Sequence, residues 1–170
     1  MPDVDKEFDG AERFVRHVYF KIQDEELQPI LFFELKEDAH LEGVPDDQRK
    51  VAAPLPEWDS FEKKRRISRF ISDQLRDKVH WFLFVCECWT LPPSMGREWV
   101  DEGGEYKSLA DHPNRLEAVS MIYTDELGSK MRMYDIVRGE GGKVSEIIRR
   151  LEDEKPYDHF EDNLFGGIFG

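Results

Sequence analysis

The run His80-Trp81-Phe82-Leu83-Phe84-Val85-Cys86-Glu87-Cys88-Trp89 constrains the fold more than any other stretch of the chain. It is the longest apolar and aromatic run, and one charge interrupts it. In an extended strand successive side chains alternate, so Trp81, Leu83, Val85, Glu87 and Trp89 share one face and Phe82, Phe84, Cys86 and Cys88 share the other. Both faces are apolar, which predicts a central strand covered on both sides. Glu87 then needs a partner or water, because a carboxylate buried alone is costly.

A chain of 170 residues is expected to form one domain that buries most of its apolar surface. With 39% apolar and 36% charged residues, the core is modest and the surface heavily charged, with room for extra loops. The net charge of -13 argues against a nucleic-acid binder, which needs Lys and Arg for phosphate contacts, and against docking on an anionic membrane. It leaves a basic partner, or plain solubility, as its meaning. Cys86 and Cys88, two apart on a strand, are poorly placed to bond each other and read as reduced, buried thiols. A structural zinc site wants four ligands, and no second cysteine pair supplies them. No metal or cofactor is therefore expected. Met1 to Lys6 is polar and acidic, unlike a signal peptide, and no apolar run has the length of a membrane span. The expected compartment is the cytoplasm.

Asp9-Gly10-Ala11-Glu12 has capping-box spacing, and Phe14, Val15, Val18, Tyr19 and Ile22 recur helically, which predicts a helix over Ala11–Ile22; Phe14 to Phe20 also fits a strand. Pro29 to Lys36 reads as a strand. Residues 37–56 read as a long polar connection. Asp59-Ser60-Phe61-Glu62 then opens an amphipathic helix to about Lys78, with Trp58, Phe61, Ile67, Phe70, Ile71, Leu75 and Val79 on its apolar stripe. Its Lys63-Lys64-Arg65-Arg66 run reads as a solvated face, and it is the one dense positive stretch in an acidic chain. After the central strand, residues 91–110 form an excursion. Leu116–Thr124 and Lys130–Arg138 read as strands joined by a glycine-containing hairpin loop. Gly139 to Gly142 reads as a hinge. Val144, Ile147, Ile148 and Leu151 predict a last short helix. Residues 152–170 form an acidic-aromatic tail, either flexible or docked through its aromatics on its own domain or a neighbouring copy.

The expected fold is α+β: a mixed, mainly antiparallel four-stranded sheet with helices packed on it, in the order αβαβββα. The first two strands would be parallel, joined by a right-handed helical crossover, and residues 1–151 a single domain followed by the tail.

Where the central strand ends, the chain returns through Asp111-His112-Pro113-Asn114-Arg115-Leu116-Glu117. Antiparallel pairing would gather Glu87, Asp111, His112, Arg115 and Glu117 at one end of the sheet. An acid, an imidazole and a guanidinium together suit either an active site or a structural ion-pair network, in which Arg115 would sit between Glu87 and Glu117. Glu34-Leu35-Lys36 matches part of a metal-dependent nuclease pattern but has no aspartate-bearing strand before it. Asp38-Ala39-His40 is more ordinary as a solvated surface group. No dinucleotide, Walker, nucleophile-elbow or zinc-protease motif is present.

Cys86-Glu87-Cys88-Trp89 followed by Asp111-His112-Pro113-x-Arg115-x-Glu117-Ala118 resembles a group of small uncharacterised prokaryotic and phage proteins. In that group a Ser-Glu-Ala-Trp-like tetrapeptide ends one strand and an Asp-His-Pro-x-Arg-x-Glu segment opens the next. The resemblance spans roughly Val79 to Tyr123, with cysteines in place of the small residues around Glu87. It implies the pairing of those two strands and no particular reaction. The functional expectation is a non-enzymatic interaction or accessory protein of prokaryotic or phage origin, binding a protein partner or a second copy through its tail. The alternative is a hydrolase using the Glu87 cluster.

Overall fold

The computed structural model describes residues 3–57, 60–92, 111–151, 165, 168 and 169. Helix α1 (Val4–Arg16) continues into one wider π turn (His17–Ile22), and β1 (Ile30–Leu35) and β2 (Lys50–Pro54) follow. Helix α2 (Phe61–Leu75) leads to β3 (Val79–Thr90), and β4 (Leu116–Asp125), β5 (Gly128–Arg138) and β6 (Val144–Arg149) complete the sheet. The strands form one curled half-barrel in the order β2-β1-β3-β4-β5-β6, every neighbouring pair antiparallel.

This overturns the four-stranded mixed sheet expected above: the sheet has six strands. β2 lies inside the stretch read as connection. Its own apolar signal is slight, and its strand character comes from pairing, with Leu31 opposite Ala53 and Phe33 opposite Val51. β6 occupies the stretch read as the last helix. A register shift between Val137 and Arg138 places two residue steps of β6 against one of β5. Such a bulge brings residues three apart onto one face, so Val144 and Ile147 are both buried on the α1 side and their spacing imitates a helix. The parallel direction expected of the strands at residues 29–36 and 80–89 is overturned as well. β1 and β3 pair antiparallel; the helical crossover joins β2 to β3, which run the same way with β1 between them.

Helix α1 begins at Val4, not Ala11. Asp3 caps it by accepting from the Lys6 N–H at 3.2 Å. Asp9 lies inside the helix, where its carboxylate accepts from Arg132 of β5 at 3.0 Å. The helix buries Phe8, Ala11 and Val15, with Val18 and Tyr19 following in the π turn. These pack on Trp81, Leu83 and Val85 of β3 and on Val119, Met121 and Tyr123 of β4. The opposite face of β3 presents Phe82 and Phe84 to Leu31, Phe33 and Leu35 of β1 and to Leu75 of α2. Phe165 and Ile168 are buried in that second core, with Phe165 edge-on to Phe84 at 5.0 Å between ring centres and Phe169 stacked on Phe82 at 5.9 Å. The rest of the acidic-aromatic tail, Tyr157 and Phe160 included, lies outside the described residues. No described helix is long and apolar enough to cross a membrane.

Candidate functional site, a carboxylate clasp at the end of the central strand

Register sets the geometry. Glu87 lies opposite Val119 and Trp89 opposite Glu117, so Glu87 and Glu117 project from the same face, the one covered by α1. The π turn delivers Tyr19 to this end of the sheet. The Tyr19 hydroxyl donates to Glu87 Oε1 at 2.5 Å, and the Leu27 backbone N–H donates to the same oxygen at 2.7 Å. One carboxylate thus ties the helix, the chain leading to β1 and the central strand together. Glu87 Oε2 makes no hydrogen bond to any described residue.

Beside it, Glu117 is held by Arg138 of β5 in a two-point pair, Nε to Oε2 at 2.6 Å and Nη2 to Oε1 at 3.0 Å. Arg138 Nη1 also donates to the carbonyls of Glu25 at 2.9 Å and Gly142 at 2.7 Å. The guanidinium therefore joins β4, β5, the β5–β6 turn and the segment before β1. Burial raises the pKa of Glu87 above the ordinary carboxylate value; the donors from Tyr19 and Leu27 and the charge of Arg138 oppose it. Burial, and then the hydrogen bond to Glu87, raise Tyr19 far above a free phenol, which keeps it a neutral donor.

Of the five residues expected here, Glu87 and Glu117 come together. Arg115 does not sit between them: Arg138 takes the ion pair with Glu117, because it projects from the strand next to β4. The Arg115 guanidinium instead lies over the Trp89 ring at 4.8 Å and donates to the His112 carbonyl at 3.1 Å. His112 is buried, and its Nδ1 accepts from the Asn114 N–H at 3.0 Å, so this nitrogen serves the turn before β4. Asp111 is exposed. Tyr19 and Arg138 were missed by sequence reasoning. Tyr19 reads as one more apolar position of a helix, and Arg138 as an ordinary charge at a strand end.

On the other face Cys86 and Cys88 are free thiols, and burial pushes them up to about 12 and about 11 respectively. Glu34 accepts from the Trp81 indole N–H at 2.8 Å, and its cross-strand neighbours are Lys50 and Trp81 rather than an acid. His40 bonds Asp46 at 2.8 Å at the surface. Among the described residues, no three His, Cys, Asp or Glu side chains gather as metal ligands would. No family model matches this chain, and neither a curated protein nor a solved structure matches it.

Proposed function

We propose that the chain is a non-enzymatic interaction or accessory protein of prokaryotic or phage origin that works in the cytoplasm. The observation that carries this reading is how the Glu87 cluster is used. Its acids are engaged by Tyr19, Leu27 and Arg138, and each contact ties one segment of the chain to another. Among the described residues, the hydrogen bonds of His112 go to the turn before β4 and not to these acids. The origin rests on the resemblance around Cys86–Trp89 and Asp111–Ala118. The partner is a protein or a second copy, reached through α2, since Phe165, Ile168 and Phe169 at the end of the tail are taken up by the chain's own second core; with a net charge of -13, neither nucleic acid nor an anionic membrane suits it. Affinity capture from a bacterial lysate, followed by reconstitution with the purified partner, tests the reading. A stoichiometric complex in sedimentation is expected. Turnover of a substrate by the purified chain alone, with no partner recovered, overturns it.

One observation favours a hydrolase instead: Glu87 combines an Oε2 that has no hydrogen bond among the described residues with a raised pKa, as a general acid or base would. A panel of ester, phosphate and glycoside substrates checks this. Activity abolished by Glu87→Gln in a protein that still folds would establish it, and inactivity across the panel would remove it.

A further inference from the structure

Helix α2 carries its polar and apolar residues in an unusual arrangement. Its inward side buries Ser68, Ser72 and Leu75. Ser68 is satisfied there by donating to the Arg65 carbonyl at 3.0 Å. Its outward side holds Phe70, 65% exposed, although the spacing of Phe70 had placed it on the apolar stripe. Glu62, Arg65, Arg66, Arg69, Phe70 and Asp73 recur at i, i+3, i+4, i+7, i+8 and i+11, so they form one continuous outward face. Together they line a shallow groove of about 500 Å³. The side chains of Arg66 and Arg69 make no ion pair or hydrogen bond among the described residues. An exposed phenyl ring flanked by arginines, on a chain of net charge -13, contradicts both the hydrophobic patterning and the charge of the rest of the molecule.

We propose that this face of α2 docks a short acidic segment of a partner protein, one that carries an apolar or aromatic anchor. The proposal rests on the interaction reading above and names its surface and the partner's chemistry. Arginines present fixed forks that match carboxylates, and Phe70 offers apolar area at little rotamer cost. The face from Glu62 to Asp73 is roughly 17 Å long at helical rise, the reach of about five extended residues. Glu62 and Asp73 bracket it and would repel a phosphate chain running on past the arginines. The negative charge of the whole molecule adds to that repulsion at longer range. A short acidic peptide fits between those limits.

Fluorescence anisotropy with a fluorescein-labelled Asp-Glu-Phe-Glu-Asp peptide tests this on the full chain. The peptide should bind, and tenfold or more weaker to Phe70→Ser and to the pair Arg66→Glu, Arg69→Glu. Replacing the peptide's Phe by Gly should weaken it similarly, and raising salt should weaken it further. All these side chains face solvent, so melting temperatures should stay near wild type; Phe70→Ala and Arg69→Gln serve if the first variants fold poorly. No binding, or equal binding by wild type and variants, overturns the proposal. Tighter binding of labelled single-stranded DNA of the same charge overturns it in favour of nucleic acid. A dimer that Arg66→Glu, Arg69→Glu dissociates overturns it in favour of a second copy. A partner captured equally by wild type and the α2 variants removes this surface and leaves the interaction reading standing. Glu87-dependent turnover without a partner removes that reading itself.

Discussion

At Glu87 the cost of leaving water is set against two donors aimed at one oxygen. A hydrogen bond to a charged group contributes about 1.5–3 kcal/mol, and a buried donor left without its acceptor costs a similar amount. Glu87→Ala strips the acceptor from both Tyr19 and Leu27 and should destabilise the fold by about 2–3 kcal/mol in urea melts. Tyr19→Phe should cost about 1–2 kcal/mol, and the double variant less than the sum, because the two share a bond. Glu87→Ala and Arg115→Ala should instead add within about 0.5 kcal/mol, since Arg115 lies on Trp89 and not on Glu87. Coupling well above that between Arg115 and Glu87 would contradict the clasp. The raised pKa of Glu87 gives a second prediction, whose sign follows from linkage. The folded state holds the Glu87 proton more tightly than the unfolded chain, where the group titrates near its ordinary 4.5. The stability this group contributes is therefore fully present below about that pH and is lost as pH rises through the folded value. Glu87→Gln cannot ionise, so its melting temperature relative to wild type should rise from pH 4.5 to pH 7. A constant or falling difference would show that Glu87 is not held in a raised state.

Among the elements, the second core depends on residues distant in sequence. Phe165 is fully buried between Phe82 and Phe84, and Ile168 lies beside them. Removing a buried phenyl ring costs about 3–5 kcal/mol, so truncation after Lys155 should lower stability by at least that much, and Phe165→Ala should account for most of the loss. An unchanged urea midpoint after truncation would mean that Phe165 does not belong to the core in solution. The first core is clamped from outside by Arg132 of β5. It donates to Asp5 at 2.8 Å and to Asp9 at 3.0 Å and lies 4.7 Å over the Phe8 ring, fastening the first two turns of α1 to the sheet.

For the whole molecule the dominant long-range term is its own charge. At net -13 the folded chain repels itself, and added salt screens that repulsion as the Debye length falls from about 10 Å at 0.1 M to about 3 Å at 1 M. Melting temperature should therefore rise between 20 mM and 500 mM NaCl. A fall would mean that the ion pairs of Arg132, Arg138 and Arg150 outweigh the repulsion.

The sequence by itself determined the central strand and its two faces, because alternation is a local property that survives any packing. Trp81, Leu83 and Val85 face α1, and Phe82 and Phe84 face the second core, as the period of two requires. It determined that α2 exists, but not its ends: the cap is Ser60, whose hydroxyl accepts from the Lys63 N–H at 3.1 Å, and the helix stops at Leu75 rather than Lys78, leaving Val79 to open β3. The β4–β5 hairpin was legible too, through the glycine at Gly128. Tertiary structure alone decided what depends on a neighbour. β2 is a strand because β1 offers it hydrogen bonds, and β6 is a strand because a bulge in its pairing lets residues three apart share a face. At the cluster, the sequence brought Glu87 and Glu117 to one end of the sheet through strand register. Which cation and which hydroxyl meet them was decided by the π turn carrying Tyr19 and by the pairing of β5 beside β4, contacts between residues up to 68 positions apart that no local pattern encodes.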